Sequence, residues 1–348
     1  MHSEWQSFLA DAGASFTEEG ISRFGDLGEE SQAAISGDCV VDLSHLGLIA
    51  VKGAEAAHFL QGQLTNDVQA LSETRAQRSA YCNPKGRVVA TFLIFSRVGT
   101  YFLQLPRPIL GSILGRLRLF VMRSDVALTD ASDALIGIGV SGWNVHDTLQ
   151  QAVGPLPKAP NDVSQPAPLT VIRISGERPR YEIIGPFAPI RQLWATLTQV
   201  ARPSGPHAWS LLDIHCGVPT IHRETADLFV PQMINWDVLS GVSFTKGCYT
   251  GQEIVARTQY LGKIKRRLYR AQVNTLDTVI PPATPLIAAD EQGSRTIGQV
   301  VNAEMRPGGE WDLLVVLATQ EAKDATIYLR DEGGPILQLR PLPYSLES

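Results

Sequence analysis

The side chain with the clearest chemical potential is the thiol of Cys248. It stands in the segment 246–253, which reads Lys-Gly-Cys-Tyr-Thr-Gly-Gln-Glu. Lys246 adds positive charge near the thiol, and the two glycines of the segment allow a ligand to approach the backbone closely. These surroundings suit a thiolate that attacks a substrate, binds a metal or rests against a cofactor. A structural cysteine in a tight turn is the alternative, because one cysteine near a helix start is a weak signal on its own.

A helix is predicted to begin just after this cysteine. Thr250 and Glu253 have the spacing of a capping box, in which the Thr oxygen accepts from the N3 amide and the Glu reaches back to the cap amide. The helix then runs from Gly251 to about Tyr260, and Gly262 ends it. Cys248 would therefore precede a helix N-terminus, where the positive end of the helix dipole favours a thiolate.

The four cysteines of the chain are Cys39, Cys82, Cys216 and Cys248, and none of them forms a Cys-x-x-Cys pair. Because the cysteines are far apart, the sequence contains no motif for a self-contained zinc site or a local iron–sulfur cluster. In a reducing compartment all four are free thiols, so each is either a small core side chain or a reactive group.

The bulk composition is that of an ordinary globular protein. The chain has 348 residues, of which 44% are hydrophobic and 19% charged, and its formal net charge is -5. A mildly acidic chain is not expected to bind nucleic acid stably. No apolar run is long enough to span a bilayer, and the first residues lack the basic and apolar regions of a signal peptide. We therefore expect a cytoplasmic protein without a membrane partner.

Local patterns predict an alternation of helices and strands before residue 265, followed by a region rich in short strands. The predicted helices are Ala54–Leu64, Arg107–Phe120, Trp143–Val153, Phe187–Val200 and Trp209–Cys216. The predicted strands are Cys39–Leu43, Leu48–Gly53, Gln77–Cys82, Arg87–Phe95, Tyr101–Leu105, Leu135–Val140, Val171–Ile174, Tyr181–Ile184 and, as a strand end, Val242–Phe244. An Asn-Pro-Lys-Gly turn at 83–86 predicts a hairpin between the third and fourth of these strands.

This order predicts an α+β protein with ferredoxin-like αβ domains and a C-terminal antiparallel β-barrel. A peripheral N-terminal segment would cover residues 1–37, and a first αβ domain, intertwined with the next, would cover 38–153. The second αβ domain, with the Lys-Gly-Cys-Tyr-Thr-Gly-Gln-Glu segment, would cover 154–262 and begin in a proline-rich stretch. The β-barrel would cover 263–348.

Several longer stretches together resemble the signature of a known family. The stretch from Lys246 through Arg257 to Arg266 is similar to the signature of the YgfZ family, folate-binding proteins related to the T-protein (aminomethyltransferase) of the glycine cleavage system. Supporting stretches are Phe-Leu-Gln-Gly-Gln-Leu-Thr-Asn-Asp at 59–67, the turn at 83–86, Phe-Val-Pro-Gln at 229–232 with Asn235, and Pro-Leu-Pro-Tyr-Ser-Leu at 341–346. The resemblance runs from about residue 39 to the end.

The resemblance implies a three-domain T-protein-like ring around a central site for tetrahydrofolate or a derivative. It implies an auxiliary role in assembling or repairing iron–sulfur clusters, with client or assembly proteins as partners, in support of enzymes such as the radical methylthiotransferase that modifies tRNA. Cys248 would be the functional thiol, and a transient cluster ligand is one of its possible roles. Lys246, Tyr249, Gln252 and Glu253 would act beside it. A folate-dependent one-carbon transferase and a folate-free docking scaffold are the alternatives.

This sequence departs from its transferase relatives at several positions. Their paired acids, in the strand after the turn, are replaced by Ala90 and Thr91, neither of which relays a proton as a carboxylate does. Classical aminomethyl transfer is therefore not expected, and the enzyme question stays open.

The resemblance also assigns the folate contacts. A family tryptophan falls on Trp209, where an indole would stack on a pterin or benzoyl ring, and a core tryptophan on a helix is the alternative. His215 replaces a family Glu, and Leu46 stands in place of a second tryptophan, so folate affinity or orientation is expected to differ. The remaining residues expected to contact the cofactor are Asn66, Asp67 and Arg257.

A basic run follows the signature and has three possible roles. It consists of Lys263, Lys265, Arg266, Arg267 and Arg270. The cations would face the folate glutamate tail, RNA or a protein partner, and a solvated strand edge is the alternative.

Overall fold

The structure is a computed structural model that describes residues 1–17, 20–290 and 293–346. Its helices are α1 (Ser3–Asp11), α2 (Leu27–Ser36), α3 (Ala56–Gln63), α4 (Arg107–Arg118), α5 (Trp143–Val153), α6 (Phe187–Leu197), α7 (Pro206–His215), α8 (Gln252–Tyr260) and α9 (Glu321–Asp324). Its strands are β1 (Ser15–Thr17), β2 (Gly20–Arg23), β3 (Cys39–Asp42), β4 (Leu46–Lys52), β5 (Gln77–Cys82), β6 (Val88–Arg97), β7 (Thr100–Pro106), β8 (Ala127–Asp130), β9 (Ile136–Ser141), β10 (Val163–Ser164), β11 (Thr170–Arg173), β12 (Arg180–Gly185), β13 (Arg202–Ser204), β14 (Arg266–Asn274), β15 (Pro285–Asp290), β16 (Gly293–Met305), β17 (Glu310–Ala318), β18 (Ile327–Leu329) and β19 (Gln338–Arg340).

The predicted α+β class is confirmed, and the chain forms two compact units. Unit 1 comprises Met1–Leu60, Val68–Gln77 and Phe92–Leu212, and unit 2 comprises Gln61–Asp67, Arg78–Thr91 and Asp213–Ser348. Each unit is therefore assembled from segments that are distant in sequence. The finer division at residues 37, 153 and 262 stays a prediction. No helix among the described residues is long and apolar enough to cross a membrane.

Unit 1 contains one whole αβ sheet and most of a second, in which β5 from Arg78 and β6 up to Thr91 belong to unit 2. One has the order β10-β11-β12-β9-β3-β13, in which only β13 and β3 are parallel. The succession β9-α5-β11-β12-α6-β13 is the predicted βαββαβ pattern, with β3 inserted into the sheet. The second sheet has the order β5-β6-β7-β4-β8, and β4-α3-β6-β7-α4-β8 repeats the pattern. One core cluster contains β3, β4, β7 and β12 residues, so the sheets pack face to face.

The first 37 residues, expected to be peripheral, contribute to the core of unit 1. Trp5 and Leu9, four residues apart on α1, are fully buried in a cluster with Trp194 of α6. The indole of Trp5 meets that of Trp194 edge to face, with ring centroids 5.5 Å apart. The helical spacing of these apolar residues was visible in the sequence, but their burial depends on α6, which lies far along the chain.

Unit 2 contains a six-stranded antiparallel sheet of order β18-β15-β16-β17-β14-β19 that curls as a half-barrel. The segment just before β19 hydrogen-bonds β18, through Leu337 N–H to the carbonyl of Ile327 and Leu329 N–H to that of Pro335. Strand β17 is buried on both faces. Its odd-numbered residues from Leu313 fill the curled sheet, while Leu314 and Val316 pack outward on the rest of unit 2.

That outward cluster is the platform of the candidate site. It joins Leu314 and Val316 to Val255 of α8, Cys82 of β5 and Ile234, a residue in the 3-10 turn Pro231–Ile234. All these side chains are buried. The signature helix therefore rests on the sheet through Val255, and its opposite face is exposed.

Candidate functional site

Cys248 lies on an exposed stretch of backbone between two buried neighbours. Cys248 and the preceding Gly247 are exposed, whereas Lys246 and Tyr249 are buried. The other three cysteines of the chain are all buried. The loop therefore exposes one thiol to solvent, and the buried residues on both sides of the thiol hold the loop in place.

The anchor on the N-terminal side is Lys246. Its Nζ donates hydrogen bonds to the carbonyl oxygens of Gln61 at 2.7 Å, Leu64 at 2.6 Å and Asn66 at 2.9 Å. These carbonyls lie at and just beyond the C-terminal end of α3, where the helix dipole favours a cation. Burial lowers the pKa of Lys246 from 10.5 to about 8, and the charge of Asp67 opposes that shift. The sequence predicted a cation near the thiol; the structure directs its ammonium into backbone carbonyls.

The anchor on the C-terminal side is Tyr249. Its ring centroid lies 5.2 Å from Nζ of Lys246, within range of a cation–π interaction. Burial, with a smaller contribution from Cys82, raises the pKa of Tyr249 above its ordinary value of 10.0. Burial likewise raises the pKa of Cys82 to about 12. Tyr249 therefore remains a neutral phenol at physiological pH.

The start of α8 differs from the sequence prediction. The N-cap is Gly251, with φ +82°, and no side chain caps the helix, so the predicted capping box of Thr250 and Glu253 is wrong. The reason is a close approach between two backbones. A Cβ on Gly251 would lie 2.4 Å from the carbonyl oxygen of Asn83 and 2.8 Å from Cα of Gly86. Only glycine combines this conformation with this contact. The predicted end is confirmed, since the Gly262 N–H bonds the carbonyl of Arg257.

The turn that Gly251 contacts is itself fixed by Asn83. Oδ1 of Asn83 accepts from the N–H groups of Lys85 at 2.8 Å and Arg87 at 3.1 Å, and its Nδ2 donates to Asp227 at 2.8 Å. The predicted hairpin turn at 83–86 is thus confirmed. It also acts as a rigid support for the start of α8.

The segment 61–67 completes the support. Nδ2 of Asn66 donates to the carbonyls of Arg78 at 2.7 Å and Ser240 at 2.8 Å, and its Oδ1 accepts from the Asp67 N–H. Oδ1 of Asp67 accepts from the Gln61 amide at 2.9 Å. Asn66 therefore uses its side chain on backbone within unit 2, and its predicted contact with a cofactor stays a prediction.

The predicted strand end at Val242–Phe244 is wrong. These residues have no regular secondary structure, because the Ser243 N–H bonds the carbonyl of Thr65, and the Thr65 hydroxyl donates to the carbonyl of Gly241 at 2.7 Å. The chain leading to Lys246 is thereby tied to the same segment as the lysine itself.

Three further predicted site residues lie on α8. Gln252 is half-buried, and Glu253 and Arg257 are exposed. The helix is held in unit 2 by the Gln232 amide, which donates to the carbonyl of Val255 at 2.8 Å. The structure thus brings Lys246, Cys248, Tyr249 and the start of α8 together with the segment 61–67, and their chemical roles stay predictions.

His215 has a buried partner in the half-barrel. Its Nε2 lies 2.6 Å from Oδ2 of Asp312, which is fully buried. Oδ1 of the same carboxylate accepts from Gln272 at 2.9 Å, and Arg270 lies 3.8 Å away. Burial acts to raise the pKa of Asp312, but His215, Gln272 and Arg270 outweigh it, so that the pKa falls below 3.8. This hydrogen bond occupies one ring nitrogen of the histidine predicted to face folate.

Trp209 and Leu46 lie in unit 1. Trp209 is 2% exposed, the Arg180 guanidinium lies 3.7 Å from the centre of its ring, and a Cβ on Gly139 would lie 2.5 Å from the ring edge. For this indole to stack on a pterin, Arg180 would have to leave the ring. Leu46 is half-buried on β4 and lines a cavity of about 20 Å³, room for a single water molecule.

The positions of the family acids are strand interior. Ala90 and Thr91 are both buried in β6, and Oγ1 of Thr91 accepts from the Ile221 N–H at 3.4 Å. Neither supplies an ionisable group. Among the described residues, no three His, Cys, Asp or Glu side chains are grouped so as to hold a metal ion.

Sequence reasoning missed three features of the site: the carbonyl acceptors of Lys246, the contact of Gly251 with the turn, and the partner of His215. Only the contact of Gly251 with the turn could have been suspected from the sequence, because the signature and the turn at 83–86 each contain a glycine. The acceptors and the partner are about 100 to 185 residues away in sequence, and no local pattern marks them.

Comparison with known proteins is consistent with this arrangement of motifs. The sequence profile of the GCVT N-terminal domain matches residues 14–240. The tRNA-modifying protein YgfZ of Yersinia pseudotuberculosis is 33% identical over 316 residues, which cover 88% of this chain and 92% of that protein. YgfZ of Yersinia enterocolitica is 31% identical with the same coverage.

A solved structure shows the same fold at low sequence identity. The glycine cleavage system aminomethyltransferase T of Bartonella henselae superposes with a TM-score of 0.77 at 16% identity, over 97% of this chain and 96% of that one. The chain belongs to the YgfZ family and carries a GCVT N-terminal domain.

Proposed function

We propose that the chain is an auxiliary protein for tRNA modification by iron–sulfur enzymes, in which Cys248 is the functional thiol for cluster assembly or repair. The observation that carries the proposal is the presentation of Cys248. It is exposed between the buried anchors Lys246 and Tyr249, while the other cysteines are buried. A thiol that serves a large partner must be reachable from outside, and this one is.

The contrast with the buried cysteines supports the choice of Cys248. Burial raises the pKa of Cys39 and of Cys82 to about 12 in both cases, so these thiols stay protonated at physiological pH. The thiolate is the nucleophile and the metal ligand, and a buried protonated thiol is neither. Reactivity of this chain toward a cluster or a client is therefore assigned to Cys248.

The chemistry proposed for the thiol depends on a partner. One thiolate supplies one ligand to iron, with its proton released to water, and the described residues offer no second cysteine beside it. A cluster held by Cys248 would need its other ligands from a client or assembly protein. Such a partner-dependent ligand suits transfer or repair better than permanent storage.

The alternative, a one-carbon transferase, is disfavoured at β6. Aminomethyl transfer in the relatives relies on paired acids, for which this chain has the buried Ala90 and Thr91. No other residue of the described strand provides a carboxylate. We therefore do not assign transferase chemistry to this site.

Folate binding is part of the proposal on the ground of family membership. The individual contacts expected from the sequence do not fit as they stand, since Trp209 is covered by Arg180, His215 pairs with Asp312, and Asn66 is bonded to backbone. No step is therefore assigned to folate. The three-domain ring around a central folate site, and the cytoplasm as its location, belong to the same proposal.

The thiol role is tested by deletion and rescue. We expect the gene deletion to lower cluster-dependent methylthiolation of tRNA, measured by mass spectrometry of nucleosides, and Cys248→Ala to fail to restore it. Cys39→Ala is the matched control, because it removes a buried thiol from unit 1, and it should rescue. Rescue by Cys248→Ala would refute the role of the thiol, and normal methylthiolation in the deletion strain would refute the cluster role.

Folate binding is tested on the purified protein. Titration with tetrahydrofolate, followed by tryptophan fluorescence and calorimetry, is expected to give a saturable signal. Because Arg180 covers Trp209, a Trp209→Phe variant should retain binding if other residues form the site and lose it if the indole is freed to stack. No heat and no quenching would leave a folate-free docking scaffold as the function.

A further inference from the structure

The outer face of α8 exposes an unusual amount of apolar surface. Ile254 is 38% exposed, Tyr260 66% and Leu261, directly after the helix, 83%. Val255 is fully buried on the inner side of the same helix. At 100° per residue, Ile254, Arg257 and Leu261 follow one another along one side of the helix. The start of this side meets the turn at 83–86, since a Cβ on Gly86 would lie 2.9 Å from Cβ of Ile254, so the exposed apolar surface is mainly that of Tyr260 and Leu261.

The same region carries an excess of positive charge, with Glu253 at the start of α8 as its exposed carboxylate. Arg257, Lys263 and Lys265 are exposed, and none of them has an ion-pair partner in the part of the chain that the structure describes. No Asp or Glu occurs between residues 254 and 266, although the whole chain has a net charge of -5. Arg267 and Arg270, later in the basic run, are by contrast paired with Asp237 and Asp312.

We propose that this surface, here termed the α8 face (Ile254, Arg257, Tyr260, Leu261, Lys263 and Lys265), docks an acidic surface of a client protein with an apolar centre. The inference rests on the proposed function and names the contact that brings a client to the thiol. Cys248 lies four residues before the first residue of α8, so the thiol precedes the N-terminal end of the face on the same stretch of chain.

A protein partner fits this face better than RNA. Tyr260 and Leu261 are adjacent and exposed, with Ile254 two turns earlier, and aliphatic side chains are covered by other apolar side chains, not by phosphates or sugars. Burial of an exposed leucine of this kind stabilises a complex by removing its apolar surface from water. The flanking cations would then pair with carboxylates at the rim of the partner, which raises the association rate at low salt.

The test measures binding of the purified full chain to the host's radical tRNA methylthiotransferase, with and without its cluster, by biolayer interferometry. We expect Leu261→Ser to weaken binding about 10-fold or more, as for a central apolar contact. The double variant Arg257→Glu with Lys263→Glu should weaken it by a similar factor, and more strongly at low than at high salt. A 20-nucleotide single-stranded RNA is the second probe.

Matched controls come from exposed residues elsewhere in unit 2. Leu276→Ser removes a fully exposed leucine, and Lys323→Glu reverses an exposed lysine on α9; both should bind like the wild type. Cys248→Ala should also bind normally, because docking does not need the thiol. All the variants alter exposed side chains, so the urea midpoint of each should match the wild type and exclude misfolding.

The outcomes separate the docking inference from the proposed function. Docking is overturned if the wild type binds neither form of the enzyme, if the α8 variants bind like the wild type, or if the RNA and not the protein shows their effect. If the α8 variants restore methylthiolation in the deletion strain and Cys248→Ala does not, the docking inference fails and the function stands. If the deletion strain is normal, the function fails, and the binding data still decide whether the face docks an acidic protein.

Discussion

Replacement of Lys246 by methionine tests whether the signature segment is held by its lysine. Methionine has nearly the same length and flexibility, but it removes the ammonium that donates to the carbonyls of Gln61, Leu64 and Asn66. Leu64 is fully buried, and its carbonyl would lose the shortest of the three bonds. The change therefore acts on the connection between two segments that are 180 or more residues apart in sequence.

The magnitude follows from the three bonds and the cost of burying the charge. A hydrogen bond from a charged donor contributes about 1.5–3 kcal/mol, so three contribute roughly 4.5–9 kcal/mol before desolvation. Burial of the ammonium, the cause of its lowered pKa, offsets a large part of this gain. We expect Lys246→Met to lower the free energy of unfolding by about 2–4 kcal/mol, whereas Lys263→Met, at an exposed lysine, should change it by less than about 0.5 kcal/mol.

Urea unfolding at several pH values supplies a second readout. The pKa of Lys246 is about 8 in the folded protein against an ordinary value of 10.5, so between these values the unfolded chain holds a proton that the folded chain has lost. Stability from this group therefore rises as the pH rises from about 8 to 10.5. The difference in unfolding free energy between wild type and Lys246→Met should be constant below pH 8 and widen above it. A loss under about 1 kcal/mol at pH 7, or a difference that narrows above pH 8, refutes the reasoning.

The remaining predictions concern the helix start, the buried carboxylate and the thiol. Gly251→Ala should destabilise unit 2 by about 2–4 kcal/mol in urea unfolding, because the residue has a positive φ and its Cβ would clash with backbone. Gly247→Ala, whose Cβ meets nothing within 4 Å, should leave stability unchanged, and equal effects of the two variants would contradict the close packing. Asp312→Asn should lower the free energy of unfolding by about 1–3 kcal/mol at pH 7. Because the pKa of Asp312 is lowered in the folded protein, the greater stability of the wild type should persist above the ordinary pKa of 3.8 and disappear as the pH falls further. That advantage, followed by thermal unfolding, would be unchanged at low pH if His215 did not hold the carboxylate ionised. A native thiol assay should label one of the four cysteines rapidly and none in Cys248→Ser, and rapid labelling of a second thiol would contradict the burial of the others.

Elements with a local apolar period were predictable from the sequence. Helix α5 was predicted over Trp143–Val153 and has those bounds, because Val145 and Leu149 mark its buried side and glycines flank both ends. Strand β5 was likewise predicted at its observed bounds, Gln77–Cys82. The βαββαβ order of both sheets then follows from the order of the elements, since consecutive short connections leave few topologies.

Features fixed by distant contacts were not predictable. Thr250 and Glu253 have the spacing of a capping box, yet the helix begins at Gly251, because the turn at 83–86 approaches too closely for any other residue. Val242–Phe244 has the alternating apolar pattern of a strand, but Thr65 accepts the hydrogen bond of the Ser243 N–H and donates its hydroxyl to the carbonyl of Gly241. In both cases the competing partner lies more than 160 residues away, beyond the reach of periodicity or capping rules.

The candidate site contains residues that the fold requires and one residue, Cys248, that the fold does not require. Lys246 and Tyr249 are buried anchors, and Gly251 is required by backbone conformation and contact. Cys248 has no such duty: it is exposed, and a serine in its place would cost the folded state little. Packing and backbone strain do not explain a cysteine at this position, so we infer that its thiol chemistry does. A functional thiol should be labelled rapidly, and its replacement should leave stability unchanged, whereas a structural thiol should show neither property.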